Sequence, residues 1–122
     1  MSNGRYERQL ANHLDNLGYH VVRAPSSGGG TKRDLPDLFW SKSDENAVAA
    51  ELKTTSKDKA YYTFEEVDAL CEFATAFNAY PRLVARFKGD TAYYVENPAE
   101  LYRTEEGNYR MTRETYSYTI EP

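Results

Sequence analysis

Charged residues lie within or directly beside two short apolar runs of this sequence, and few folds can accommodate charges there. The first run is residues 38–40, directly after Asp37, and the second is residues 47–53, which contains Glu51 and Lys53. A short polar segment separates the runs, a pattern typical of two antiparallel strands joined by a turn. The sequence therefore predicts a β-hairpin with one acid at the head of its first strand and an acid and a lysine on its second.

Side chains alternate along a strand, so Glu51 and Lys53 are expected to share one side of the sheet with Ala49. An acid two residues before a lysine is by itself usually a solvated ion pair of little energetic consequence. The small alanine and the upstream acid make this pair unusual, because a charge taken into an apolar surrounding needs a partner or a function.

The N-terminal segment is predicted to form an amphipathic helix over residues 5–17. Its apolar residues recur at helical spacing, and Gly18 can adopt the left-handed conformation that ends a helix. The predicted apolar face consists of Leu10, Ala11, Leu14 and Leu17. Glu7 precedes these residues on the same face, so the helix is expected to direct a carboxylate towards the sheet.

The other predicted elements complete an α/β domain, in which a central mixed β-sheet is flanked by helices. They are strands at residues 19–24, 82–87 and 91–96 and a helix at residues 63–78. The apolar face of that second helix is predicted to carry Val67, Leu70, Cys71, Ala74 and Phe77. Residues 25–32 form a glycine- and serine-rich loop, and no element is assigned beyond residue 102. Residues 1–122 are expected to form a single domain.

Composition excludes several classes of protein. The start of the sequence lacks the apolar run of a signal peptide, and no apolar stretch is long enough to span a membrane, so a cytoplasmic protein is predicted. The single cysteine, Cys71, has no second cysteine for a disulfide or a zinc site and is predicted to be a buried apolar residue. The net charge of −4 weakens the case for DNA binding, but the acid excess falls mainly on the second helix.

Three carboxylates are expected to converge beside Lys53 in this arrangement. Glu7 would approach from the first helix, and Asp37 and Glu51 from neighbouring strands. Such a group suits a hard divalent cation such as Mg²⁺, which can polarise a phosphate oxygen and lower the pKa of a bound water. Lys53 would then orient the water and offset negative charge in the transition state.

The residues that form this group resemble a known nuclease signature. Pro36-Asp37 followed by Glu51-Leu52-Lys53 looks like the PD-(D/E)XK pattern, and the stretches around it are similar to the archaeal Holliday junction resolvases. Those stretches are residues 4–8, 19–28, 34–37, 59–61, 72–74 and 101–109. The resemblance covers nearly the whole chain and implies a restriction-endonuclease-like core.

The resemblance also implies roles for individual residues. Glu7, Asp37 and Glu51 would bind Mg²⁺, with Mn²⁺ able to substitute, Lys53 would assist the attacking water, and Ser27 would support cleavage. Arg8, Arg23, Lys32 and Arg33 would contact phosphates of four-way junction DNA. For Arg8 and Arg23, an ordinary surface ion pair is an equally weighted alternative.

The resemblance further implies a homodimer, because two symmetric nicks need two active sites related by a two-fold axis. Apolar residues of the second helix, Phe87 and residues 93–95 could form the interface, or could be ordinary core. The glutamate-rich surface, with Glu65 and Glu66 where basic residues are common in the family, also fits a protein from a halophilic archaeon or its virus.

Three other functions stay open on the sequence. A repair or restriction-type endonuclease could use the same site on a different DNA shape. A DNA-binding module without cleavage could keep the fold, although the complete set of acids and lysine argues against it. A purely structural protein would leave the three acids unexplained.

Overall fold

The computed structural model describes residues 4–24 and 35–122, and a central sheet of mixed strand direction organises them. The helices in these ranges are α1 (Gly4–Asn16) and α2 (Phe64–Ala76), with one 3₁₀ turn at Pro98–Glu100. The strands are β1 (His20–Arg23), β2 (Leu38–Ser41), β3 (Val48–Thr55), β4 (Lys59–Tyr62), β5 (Tyr80–Phe87), β6 (Tyr93–Glu96), β7 (Tyr102–Arg103), β8 (Tyr109–Thr112) and β9 (Tyr118–Ile120). The α/β class with a mixed sheet is confirmed.

The central sheet has the strand order β1-β2-β3-β5-β6-β9. Its β2–β3 hairpin is antiparallel, with Leu38 opposite Ala50, as the sequence predicts, and Asp44 in the turn has a positive φ of 69°. Strands β3 and β5 are parallel, and a parallel pair needs a crossover connection. The segment of β4 and α2 provides it and brings α2 against the face of the sheet that carries Glu51.

The two faces of the sheet are covered by different helices. Leu10 and Leu14 of α1 pack with Ala50 and Leu52 of β3 in one buried cluster. Ala49 belongs to the opposite cluster, where the apolar side of α2 packs. The predicted alternation along β3 is therefore confirmed, and it sends Glu51 and Lys53 to the α2 side.

A second, three-stranded sheet of order β4-β8-β7 was not predicted. Ala60, Tyr62 and Met111 from this sheet are buried in the α2 cluster. Its strands are two to four residues long, and strands this short carry too few alternations for a sequence pattern to be read.

Two predicted core positions are wrong. Leu17 is 52 % exposed because α1 ends at Asn16, and Phe77 is 59 % exposed because α2 ends at Ala76. Cys71 is half-buried at the edge of the α2 cluster. Phe87 and Tyr93 are fully buried within one chain, so these candidates for an interface belong to the core.

The contrast between two leucines of the N-terminal segment gives a test of this packing. Leu10→Ala is expected to lower the free energy of unfolding by about 2–5 kcal/mol, because Leu10 is fully buried and its loss leaves a cavity. Leu17→Ala, the matched control, should change it by no more than about 0.5 kcal/mol. Urea unfolding of both variants measures the difference, and equal losses would contradict the assigned packing of α1.

No helix within residues 4–24 and 35–122 combines the length and the apolar character that crossing a bilayer would require.

Candidate active site

Asp37 and Glu51 meet where the β2–β3 hairpin opens. Leu38 and Ala50 are the last paired residues of that register, and the chain immediately beyond them places the two acids side by side. A carboxylate oxygen of Asp37, Oδ2, accepts a hydrogen bond from the Leu52 N–H at 2.8 Å. This bond fixes the Asp37 carboxylate against the backbone of β3, next to the side chain of Glu51.

Both acids have raised pKa values, so each is harder to ionise than an ordinary carboxyl group. Burial, together with the negative charges of Asp37 and Glu66, raises the pKa of Glu51 from its ordinary 4.5 to about 9. Burial also raises the pKa of Asp37, although hydrogen bonds from Leu52 and Glu51 partly offset it. The protonated form of Glu51, which can donate a hydrogen bond to Asp37, is therefore favoured near neutral pH, because burial penalises two adjacent charged carboxylates.

Lys53 lies beside these acids and contacts a residue that the sequence analysis missed. Its Nζ donates to Oε2 of Glu66 at 2.7 Å, and both side chains are about one-third exposed. The sequence pattern identifies Glu66 only as part of a glutamate-rich surface. The sequence did contain a local signal for its position, because Thr63 followed three residues later by a glutamate is the capping-box pattern of a helix start.

Glu7 approaches Asp37 from α1, as predicted. Its side chain is 13 % exposed, and Nε of Arg23 lies 3.5 Å from its Oε1. Burial and the Asp37 charge raise the pKa of Glu7, while Arg23 partly offsets the shift. Arg23 also donates to the Gly4 carbonyl at 3.1 Å, so the ion-pair alternative holds for Arg23 in this structure. Arg8 lies exposed on α1.

Three predicted site residues, Ser27, Lys32 and Arg33, lie outside the described residues, as does most of the loop that carries them. Their roles stay predictions.

Glu7, Asp37 and Glu51 are predicted to supply the carboxylate oxygens that a divalent cation would need in this site. Among the described residues, no group of three or more His, Cys, Asp or Glu side chains has the arrangement of a metal site, so a three-carboxylate site stays a prediction. The contact between Asp37 and Glu51 does fit Mg²⁺, which proteins commonly hold with one or two carboxylates together with water and phosphate. A cation bound there would supply positive charge that compensates the two carboxylates and would favour their ionised forms.

A sequence profile of the archaeal Holliday junction resolvases (Hjc) matches residues 2–121. This chain belongs to that family. Among its Hjc relatives is the crossover junction endodeoxyribonuclease Hjc of Sulfolobus acidocaldarius, 34 % identical over 110 residues, which are 89 % of this chain and 75 % of that protein. The predicted resemblance to the archaeal Holliday junction resolvases is thereby confirmed.

Other Hjc-like proteins extend the comparison. A crossover junction endodeoxyribonuclease of Sulfolobus islandicus rod-shaped virus 1 is 30 % identical over 104 residues, 83 % of this chain and 84 % of the viral protein. The structure of Hjc from Archaeoglobus fulgidus, a Holliday junction resolvase, superposes with a TM-score of 0.82 over 97 % of this chain and 94 % of that one. At 24 % identity this likeness shows the fold, and it confirms the restriction-endonuclease-like core.

Proposed function

We propose that this chain is a crossover junction endodeoxyribonuclease, which hydrolyses phosphodiester bonds in four-way junction DNA during recombination and repair. The observation that carries the proposal is the contact of Asp37 and Glu51 beside Lys53, in a chain that the Hjc profile matches from end to end. The relatives named above are crossover junction endodeoxyribonucleases, which supports the reaction class.

Asp37 and Glu51 are the residues that would hold Mg²⁺ or Mn²⁺, with Glu7 as a third carboxylate on the α1 side. When bound, such a cation supplies positive charge to a phosphate oxygen and lowers the pKa of a coordinated water. The backbone N–H of Leu52 keeps the Asp37 carboxylate in place at 2.8 Å, so part of the site is oriented before DNA arrives.

Lys53 supplies the positive charge that belongs to the chain itself. Its ammonium group carries three N–H donors, and the ion pair with Glu66 uses one of them. In this proposal the other two would donate to a phosphate oxygen and to the attacking water. Negative charge on the phosphate grows in the transition state, so a fixed ammonium group lowers the barrier more than it tightens substrate binding.

Arg23, whose side chain is 34 % exposed, pairs with Glu7 and would contact a neighbouring phosphate when DNA is bound. Two nicks related by symmetry require two such sites, so the active species in this proposal is a homodimer. We infer a cytoplasmic location from the proposed DNA substrate.

The proposal is tested by adding the chain to a labelled four-way junction, a flap and a linear duplex of the same sequence, with Mg²⁺ and with EDTA. Paired nicks in the junction alone, abolished by EDTA, are expected. Equal cutting of all three DNAs would replace the proposal with a less selective nuclease. Junction binding without cutting in Mg²⁺ or Mn²⁺ would replace it with a binding module.

A further inference from the structure

The start of α2 is tied directly to Lys53 through one carboxylate. Oε2 of Glu66 accepts from Lys53 Nζ at 2.7 Å, while Oε1 accepts from the Thr63 N–H at 2.9 Å. Thr63 Oγ1 in turn accepts from the Glu66 N–H at 3.0 Å, which completes a capping box. The Glu66 side chain is thus held at both oxygens and at its backbone.

These hydrogen bonds distinguish Glu66 from the acids that would bind a cation. Both of its oxygens already accept hydrogen bonds, so it is not poised to bind a cation as Asp37 and Glu51 are. Burial raises the pKa of Glu66, but hydrogen bonds from Lys53 and from the Thr63 N–H outweigh burial and leave it below its ordinary value. Glu66 therefore stays charged and keeps its contact with Lys53.

A lysine side chain has four rotatable bonds and loses much rotamer freedom when its ammonium group is held in one place. The hydrogen bond from the Thr63 backbone N–H to Oε1, which Thr63→Ala would keep, fixes the carboxylate before substrate binds, so part of this ordering cost is met during folding. We propose that Glu66 is a positioning residue for Lys53, which holds the ammonium group beside Asp37 and Glu51 from the first turn of α2. This role rests on the proposed nuclease function and adds a residue to it.

Three variants separate the positioning role from a purely structural one. Glu66→Ala removes the ion pair and one capping bond. Thr63→Ala removes the other capping bond and leaves the ion pair in place, so it should lower the melting temperature without lowering kcat. Glu65→Ala, an exposed acid in the same turn, controls for lost negative charge at the helix start.

The first readout needs neither metal nor DNA. An amine-reactive reagent is applied to the metal-free protein, and mass spectrometry gives the labelling rate of Lys53 relative to exposed Lys57. Glu66→Ala should raise the relative rate several-fold, because the ammonium group loses the carboxylate that holds it, whereas Thr63→Ala and Glu65→Ala should not. An unchanged rate in Glu66→Ala would overturn the proposal.

The second readout is single-turnover cleavage of a four-way junction in Mg²⁺, at a temperature where every variant is folded. Glu66→Ala should cut about 10–100-fold more slowly with an unchanged Kd for the junction, on the scale that loss of an outer partner costs an active site. If Glu66→Ala cuts as fast as Glu65→Ala, the positioning role of Glu66 is wrong. It is also wrong if Thr63→Ala loses cleavage rate to the same extent as Glu66→Ala. A wild-type chain that cuts no junction would instead contradict the proposed function.

Discussion

Glu51→Gln is expected to slow junction cleavage by about 10³-fold or more. Loss of one electrostatic contribution in an active site commonly has an effect of this size. The amide can donate to Asp37 as protonated Glu51 does, so the local packing should persist. It removes the negative charge that would hold the cation. Cleavage in Mg²⁺ is measured under single-turnover conditions, and junction binding is measured separately in EDTA.

Binding should survive this substitution, because phosphate contacts are expected from basic side chains rather than from Glu51. Glu105→Gln, in the exposed turn between β7 and β8, changes the net charge equally and should cut like the wild type. Cleavage by Glu51→Gln within tenfold of the wild-type rate would remove Glu51 from the catalytic group.

The metal-free protein is expected to lose stability as the pH rises from about 5 to 9. The pKa of Glu51 is about 9 in the folded chain and near 4.5 in the unfolded chain, so the folded state keeps a proton that the unfolded state has released. In this window the free energy of unfolding falls with pH, by at most about 1.4 kcal/mol per pH unit from this one group. The raised pKa values of Asp37 and Glu7 act in the same direction. The pKa values of Glu66 and Asp90 are lowered, so the contributions of these two change only at more acidic pH.

Urea unfolding in EDTA across this pH range tests the expectation. Glu51→Gln has no proton to lose and should flatten the profile, so that at pH 8 the variant is more stable than the wild type by at least about 1 kcal/mol. Mg²⁺ should then stabilise the wild type more than the variant, because a ligand that binds only the folded state raises its stability. Parallel pH profiles for the two proteins would show that Glu51 is not the source of the slope.

The hairpin and the helix faces show which parts of the structure were predictable. Alternation along residues 47–53 predicted which side chains of β3 share a face, because the strand period of two is a local property. Leu17 and Phe77 were misplaced because helical spacing continues in the sequence after the backbone has left the helix. The small sheet of β4, β8 and β7 was missed for two reasons. Strands β4 and β8 pair across about fifty residues of chain, and all three strands are too short to show a period.

By itself, the sequence determined the α/β class, the hairpin, the membership in the resolvase family and the placement of Asp37, Glu51 and Lys53 on adjoining strands. Local periodicity and motif spacing carry that information. Only the tertiary structure decided that Asp37 and Glu51 lie in contact with raised pKa values, that Arg23 pairs with Glu7, and that Glu66 reaches Lys53 from α2. Those contacts depend on distances between elements that are remote in sequence, and burial and Coulomb energy are set by such distances.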